Sequence, residues 1–164
     1  MPYIFHRITP DSPYAPAFAA LMLGYGPEIS AHTERPLTDE MLRGWTQSIL
    51  RLSASPDRLV EVCFDGDVPV GFLYGKIDRE GDRGYIRPNW GYIMEFYVIP
   101  ERRREGLGRI MAQRLEDFFR EKGVKQAYLT ADPVTGKPFW AAAGYWATGE
   151  VSPENGQEFF EKKL

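Results

Sequence analysis

The sequence predicts an α/β domain, in which strands and helices interleave along one chain of 164 residues. Three observations carry that prediction. Residues 92–99 form an apolar, aromatic and β-branched run broken only by Glu95, the pattern of a central strand. Leu107, Ile110, Met111, Leu115, Phe118 and Phe119 then recur at helical spacing, with Arg109, Gln113, Glu116 and Arg120 set on the other side. Shorter runs of both kinds alternate before and after this pair, with no repeat, low-complexity stretch or linker between them.

Residues 3–8 alternate as a first strand, and Pro10, Asp11 and Ser12 break it. Residues 14–23 are rich in Ala and Leu and predict a helix, which Gly24 and Gly26 are expected to end. Residues 27–36 are expected to be a loop holding Glu28, His32 and Glu34. Thr38-Asp39-Glu40 is an N-terminal signal for a second helix, with Met41, Leu42, Trp45, Ile49 and Leu52 on its apolar side. Residues 59–64 and 68–77 are strands joined by Asp65-Gly66-Asp67, a hairpin turn in which Gly accepts positive φ. Residues 78–89 are a polar excursion holding Arg83, Tyr85 and Arg87. Pro100 lacks an N–H and ends the central strand. Lys122 suits the negative end of the following helix, and Gly123 is its C′ residue. Residues 124–131 are a strand, 135–143 a short helix, and 144–147 and 158–163 the last strands.

The turn between central strand and helix has the features of an anion site. Gly106 and Gly108 lack a Cβ, so backbone N–H groups there can approach a ligand closely. They open a helix whose first N–H groups lack internal partners and whose dipole favours negative charge. Arg102, Arg103, Arg104 and Arg109 add positive charge, so phosphate or pyrophosphate is the natural occupant. A P-loop is excluded, because no Gly-x-x-x-x-Gly-Lys-Ser/Thr run occurs. A dinucleotide fingerprint is excluded too, because Met111 stands where the third glycine is needed.

What remains is Arg103-Arg104-Glu105-Gly106-Leu107-Gly108, which resembles the Gln/Arg-x-x-Gly-x-Gly/Ala signature of the GNAT N-acetyltransferase superfamily. Val98-Ile99-Pro100-Glu101 resembles that family's lead-in, and the element order matches the family over essentially the whole chain. The resemblance implies a mixed, mostly antiparallel sheet with helices on both faces and a splayed central strand pair, 92–99 and 124–131. It implies a single acetyltransferase domain over residues 1–164 that uses acetyl-CoA as co-substrate and no metal. The pyrophosphate would lie on Arg103, Arg104, Glu105, Gly106, Leu107, Gly108 and Arg109, and the pantetheine arm would meet Tyr97 and Val98. The acceptor would be an amine of a small molecule or a peptide. Dimers are common in the family, so a homodimer stays open.

A second block, Pro138-Phe139-Trp140-Ala141-Ala142-Ala143-Gly144-Tyr145, resembles the family's Phe-Tyr-x-x-x-Gly-Phe. Trp140 stands where many members have a tyrosine that protonates the departing thiolate. Indole is no acid near neutral pH, so packing beside CoA is the expected role. The amine must lose a proton before it attacks a thioester, and Glu95 is the acid of the central strand, on one face with Ile93, Tyr97 and Ile99. Buried beside apolar neighbours, its pKa would rise towards a useful value for a base or a water-orienting residue; the alternative is an acid that points to solvent or pairs with an arginine. Tyr97, Tyr128 and Asp132 are further candidates for proton transfer, and His32 and Glu34 fall where the family borders its acceptor site. The alternative, from another class, is a catalytically silent acyl-CoA-binding or sensor domain, for which Trp140 is the main support.

Composition narrows the field. Net charge is −3, so no basic field points to nucleic acid or an anionic membrane. One cysteine, Cys63, rules out an internal disulfide framework, and its apolar strand context makes it a core filler rather than a nucleophile. With no long apolar run and no signal-peptide pattern, a cytoplasmic protein is the default expectation.

Overall fold

The computed structural model of the chain describes residues 2–31 and 36–164. The elements run β1 (Ile4–Arg7), α1 (Ala15–Ser30), α2 (Asp39–Leu52), β2 (Arg58–Asp65), β3 (Val68–Ile77), β4 (Gly91–Val98), a 3-10 turn (Pro100–Arg102), α3 (Leu107–Glu121), β5 (Gln126–Ala131), α4 (Gly136–Ala142), β6 (Trp146–Val151) and β7 (Glu158–Lys163). The strands form one seven-stranded sheet in the order β1-β2-β3-β4-β5-β7-β6. Pairings β1–β2, β5–β7 and β6–β7 are antiparallel. The β4–β5 pair is parallel, in register at Gly91↔Ala127 and Tyr92↔Tyr128. The mixed, mostly antiparallel sheet is the fold class expected.

Two compact units share the chain, Met1–Tyr74 with Glu95–Met111, and Gly75–Met94 with Ala112–Leu164. In the first, β3 is sandwiched by helices. Phe72 meets Phe18 of α1 edge-on at 5.1 Å. Gly71 turns to the other side, where an added Cβ would come within 3.4 Å of Met111 Sδ on α3. Alternation along the strand therefore places one helix on each face. In the second unit, Gly75 and Gly91 leave room for Phe119 of α3 against the sheet. Cys63 is fully buried.

Local signals explain several boundaries. Thr38 caps α2 by accepting the Met41 N–H at 3.1 Å. Gly66 turns the β2–β3 hairpin at φ 61°. Gly123, at φ 79°, closes α3, while the Val124 N–H reaches back to the Phe119 carbonyl at 2.9 Å.

Helix α1 corrects the sequence reading. It does not end at Gly24 but runs on through Gly26 and Pro27 to Ser30. Both glycines serve close packing: an added Cβ would lie 2.8 Å from the Tyr97 hydroxyl at Gly24 and 2.8 Å from Leu42 at Gly26. Packing thus overrides their low helix propensity. The expected apolar faces also shift. Met41, Leu52 and Ile110 are exposed, Thr46 joins the buried side of α2, and Glu116 is buried at 2% exposure. Glu116 is tolerated because the Tyr145 hydroxyl and Lys162 Nζ donate to it at 2.9 and 3.0 Å.

Candidate active site

The turn after β4 has two left-handed residues, Arg104 at φ 64° and Gly106 at φ 86°. A non-glycine residue in that region costs roughly 1–2 kcal/mol, so the path of this loop is held against local preference. A Cβ added at Gly106 would meet open space, so its glycine is there for conformation. The turn delivers the chain into α3, where the Ile110 N–H takes up the Gly106 carbonyl. The N–H groups of Leu107 and Gly108 precede it in the first helical turn, where α-helical bonding supplies no partner from within the helix. Arg104, Glu105, Gly106 and Arg109 are exposed, Gly108 is half-buried, and Leu107 is buried as the anchor. An exposed loop with free conformational space at Gly106, ending in a helix N-terminus, fits a phosphate group.

The arginines of this turn differ in what they hold. Arg102 pairs with Asp65 of the β2–β3 hairpin. Arg103 turns back on the protein, where its Nε donates to the Val98 carbonyl at 2.8 Å. Its Nη2 donates to both carboxylate oxygens of Glu28, at 2.7 and 2.8 Å. Its guanidinium lies 5.7 Å from the Tyr97 ring centroid. The side chain of Arg103 therefore ties the end of β4 to α1, and the Val98 carbonyl is already engaged.

Glu95 lies at the middle of β4 and is half-buried, between buried Ile93 and Tyr97 on the same strand face. Burial pushes its pKa up to about 8, although a hydrogen bond from Tyr25 pulls the other way. The Tyr25 hydroxyl donates to Glu95 Oε2 at 2.5 Å. Burial, the charge of Glu95 and that hydrogen bond hold the Tyr25 phenol well above its usual range. The Phe96 amide donates to the same phenol oxygen. The Tyr25 ring is enclosed by Phe72 at 5.2 Å, Tyr97 at 5.4 Å and Trp45 at 6.0 Å. Tyr97 is itself raised by burial and by nearby Glu28. A carboxyl group that titrates near neutrality, on an apolar and aromatic wall, can accept a proton from an amine.

Other predicted residues are occupied elsewhere. The Tyr128 hydroxyl is buried and donates to Asp78, which keeps the phenol protonated. Burial alone would raise Asp132, but the N–H groups of Thr135, Gly136 and Val134 outweigh it and hold the carboxyl low, which suits a turn cap rather than a base. Arg87 is committed to Glu161 at 2.7 Å and to the rings of Trp90, Tyr128 and Phe159 at 4.7–5.0 Å. Trp140 on α4 is buried, edge-on to Phe139 at 4.8 Å and to Tyr145 at 5.2 Å. His32 and Glu34 lie outside the described residues. Among the described residues, no group of three or more His, Cys, Asp or Glu side chains is placed to hold a metal ion.

Sequence reasoning misses Tyr25, because the glycines beside it predict a helix end. No local signal marks it, because its partner Glu95 lies 70 residues away in the chain.

The acetyltransferase (GNAT) family model matches residues 20–145, which run from within α1 to just past α4 and include Glu95 and the whole turn. The PaiA N-acetyltransferase from Thermoplasma acidophilum in complex with coenzyme A shares the fold at TM-score 0.71 and 14% identity, covering 100% of each chain. An acetyltransferase from Thermus thermophilus does so at TM-score 0.70 and 22% identity, covering 100% of this chain and 98% of its own. The AAC(6')-Iy structure with a bisubstrate analogue, CoA-S-monomethyl-acetylneamine, gives TM-score 0.71 and 14% identity, over 92% of this chain and 95% of its own. No curated protein matches the chain by sequence. A family match over most of the chain, on the mixed sheet and strand–turn–helix just described, makes this protein a member of the GNAT acetyltransferase family.

Proposed function

We propose that the chain is a single acetyl-CoA-dependent N-acetyltransferase domain that moves an acetyl group directly to an amine of a small molecule or peptide. The observation that carries this is Glu95, a strand carboxyl held at a pKa of about 8 two residues before Tyr97 and eight before Arg103. In this reading the Arg103–Arg109 turn holds the pyrophosphate, and the backbone of Tyr97 and Val98 meets the pantetheine arm. Glu95 takes one proton from the acceptor ammonium. The neutral nitrogen then forms the C–N bond, the C–S bond breaks, and its electron pair leaves on the CoA sulfur. The second nitrogen proton passes to that thiolate or to water.

Cys63 is buried and outside the turn, which supports direct transfer over an acyl-enzyme. Trp140 is assigned packing rather than proton transfer. A cytoplasmic location belongs to the same proposal. The solved relatives named above include one complex with coenzyme A and one with an aminoglycoside-derived bisubstrate analogue, which supports CoA and an amine as the substrate classes. The test is CoA release from acetyl-CoA, followed with a thiol reagent, against spermidine, tyramine, neamine and a peptide with a free N-terminus. Turnover that depends on an amine is the expected result. Tight CoA binding without turnover would favour the silent acyl-CoA sensor, which the lack of a tyrosine at position 140 suggests.

A further inference from the structure

Helix α1 contains Leu23-Gly24-Tyr25-Gly26-Pro27, three poor helix formers around one aromatic residue. In an exposed helix each glycine costs about 1 kcal/mol relative to alanine, and proline costs about 3. The structure shows what offsets that cost. Gly24 lets α1 come against β4, where a Cβ would strike the Tyr97 hydroxyl at 2.8 Å. Gly26 lets it come against α2, where a Cβ would strike Leu42 at 2.8 Å. Between these two contacts the Tyr25 hydroxyl is fixed at both ends of its chemistry. It accepts from the Phe96 amide and donates to Glu95 Oε2. Its ring cannot swing, because rings from β3, β4 and α2 enclose it.

We propose that Tyr25 is a positioning residue for Glu95, seated by Gly24 and Gly26, which holds one carboxylate oxygen so that the other is presented to the acceptor amine. The inference rests on the reading of Glu95 as the base. A carboxylate on a strand turns freely about its terminal torsion, and a fixed phenol donor removes that freedom. The same donor stabilises the ionised form against the burial that opposes it. Among the described residues, the charged and titratable groups around the pair are Glu28 from α1, Tyr97 from β4, and Glu101 and Arg103 from the turn, with Arg103 paired to Glu28.

The experiment uses Tyr25→Phe, which keeps the ring in its aromatic enclosure, and Gly24→Ala, which keeps the phenol but pushes α1 off β4. The side-chain carboxyl of Glu95 is followed by 13C NMR in glutamate-labelled protein, its signal identified by its loss in Glu95→Gln. In wild type the midpoint should lie near 8. A charge-assisted hydrogen bond is worth enough to move that midpoint up by about one pH unit in Tyr25→Phe. The acidic limb of kcat/KM for the most active of the four panel amines should move with it, and turnover at pH 7 should fall about tenfold. CoA affinity should hold. Gly24→Ala should move both readouts in the same direction by less. A wild-type enzyme that turns over, with the Glu95 midpoint or the acidic limb unmoved in Tyr25→Phe, overturns the inference. Failure of the underlying reading has a different signature: wild type without turnover, or Glu95→Gln with full turnover.

Discussion

Arg103 and Glu28, 75 residues apart, form a forked ion pair in which one guanidinium nitrogen meets both carboxylate oxygens at 2.7 and 2.8 Å. Arg103, the first residue of the Arg103–Gly108 turn sequence, is therefore already neutralised by an acid from α1. Both side chains are about two-fifths exposed, so the pair itself stabilises the fold by no more than ~1 kcal/mol.

That pairing sets up the first prediction. A pyrophosphate placed on the turn has to compete with Glu28 for Arg103. Glu28→Gln keeps the shape and removes the competing charge, so CoA should bind about two- to fivefold more tightly, the range that ~1 kcal/mol allows. Raising the salt concentration should narrow the difference, because an exposed pair is screened. Titration calorimetry with CoA at two ionic strengths measures both. Weaker CoA binding in Glu28→Gln would show that the pair builds the site instead of competing with it.

A second prediction tests the turn directly. Acetyl-CoA should raise the melting temperature of wild type, since a ligand that binds only the folded turn shifts unfolding by mass action. Gly108→Glu places a side chain and a negative charge at the start of α3, where the helix favours an anion. The acetyl-CoA-dependent shift should vanish, while the variant without ligand melts within a few degrees of wild type. An undiminished shift in the variant would move the cofactor away from this loop.

How far the sequence can be read is clearest from these same residues. The strand–turn–helix unit is legible because each part has a local cause: β-branched and aromatic residues, Pro100, two glycines, and a 3.6-residue apolar period. The Thr38 cap and the Asp-Gly hairpin are legible for the same reason. The partners of the candidate site residues are not. Glu28 reaches Arg103, and Tyr25 reaches Glu95, across more than 65 residues of chain. Both partners also lie on a helical stretch whose glycines and proline argue against a helix. Only tertiary packing at Gly24 and Gly26 makes that stretch helical. Glu116 reads as a solvent-side residue, because a lone acid in an amphipathic helix carries no mark of a distant Lys162 and Tyr145.

Glu95 carries a third prediction, with two readouts. Glu95→Gln removes the base and keeps the shape, so kcat should fall by roughly a hundredfold or more with CoA affinity unchanged. In wild type the base must be ionised to act, so kcat/KM should rise with pH through about 8, and the variant should lose that limb. Stability runs the opposite way. The folded carboxyl binds its proton up to about 8, against an ordinary value of 4.5, so the folded state holds more protons between those limits. Its contribution is fully present below about pH 4.5 and is lost as pH rises through 8. The melting temperature of Glu95→Gln relative to wild type should therefore climb from pH 5 to pH 9. A constant difference across that range would place Glu95 in water, with an ordinary carboxyl.

Trp140 carries the last prediction. By the resemblance of its sequence block it takes the place of a tyrosine, and it packs edge-on against Phe139 and Tyr145 and is 6% exposed. Its neighbour Tyr145 is tied to Glu116, and burial together with that charge holds the phenol above its usual range, so it stays protonated there. The role assigned to Trp140 is volume and aromatic surface, with no proton to give. The CoA thiol is acidic enough to leave as thiolate, so the transfer does not require an enzymatic acid. Wild type should then lack the alkaline limb that a titrating tyrosine acid imposes on kcat. Trp140→Phe should keep most activity, because it retains a ring against Phe139 and Tyr145. Trp140→Ala leaves a cavity and should cost about 3–5 kcal/mol of stability while the pH dependence of kcat keeps its shape. Chemical denaturation and a pH–kcat series on wild type and both variants separate packing from chemistry. A collapse of kcat in Trp140→Phe, with stability and CoA affinity intact, would assign the indole N–H a part in the reaction that packing does not explain.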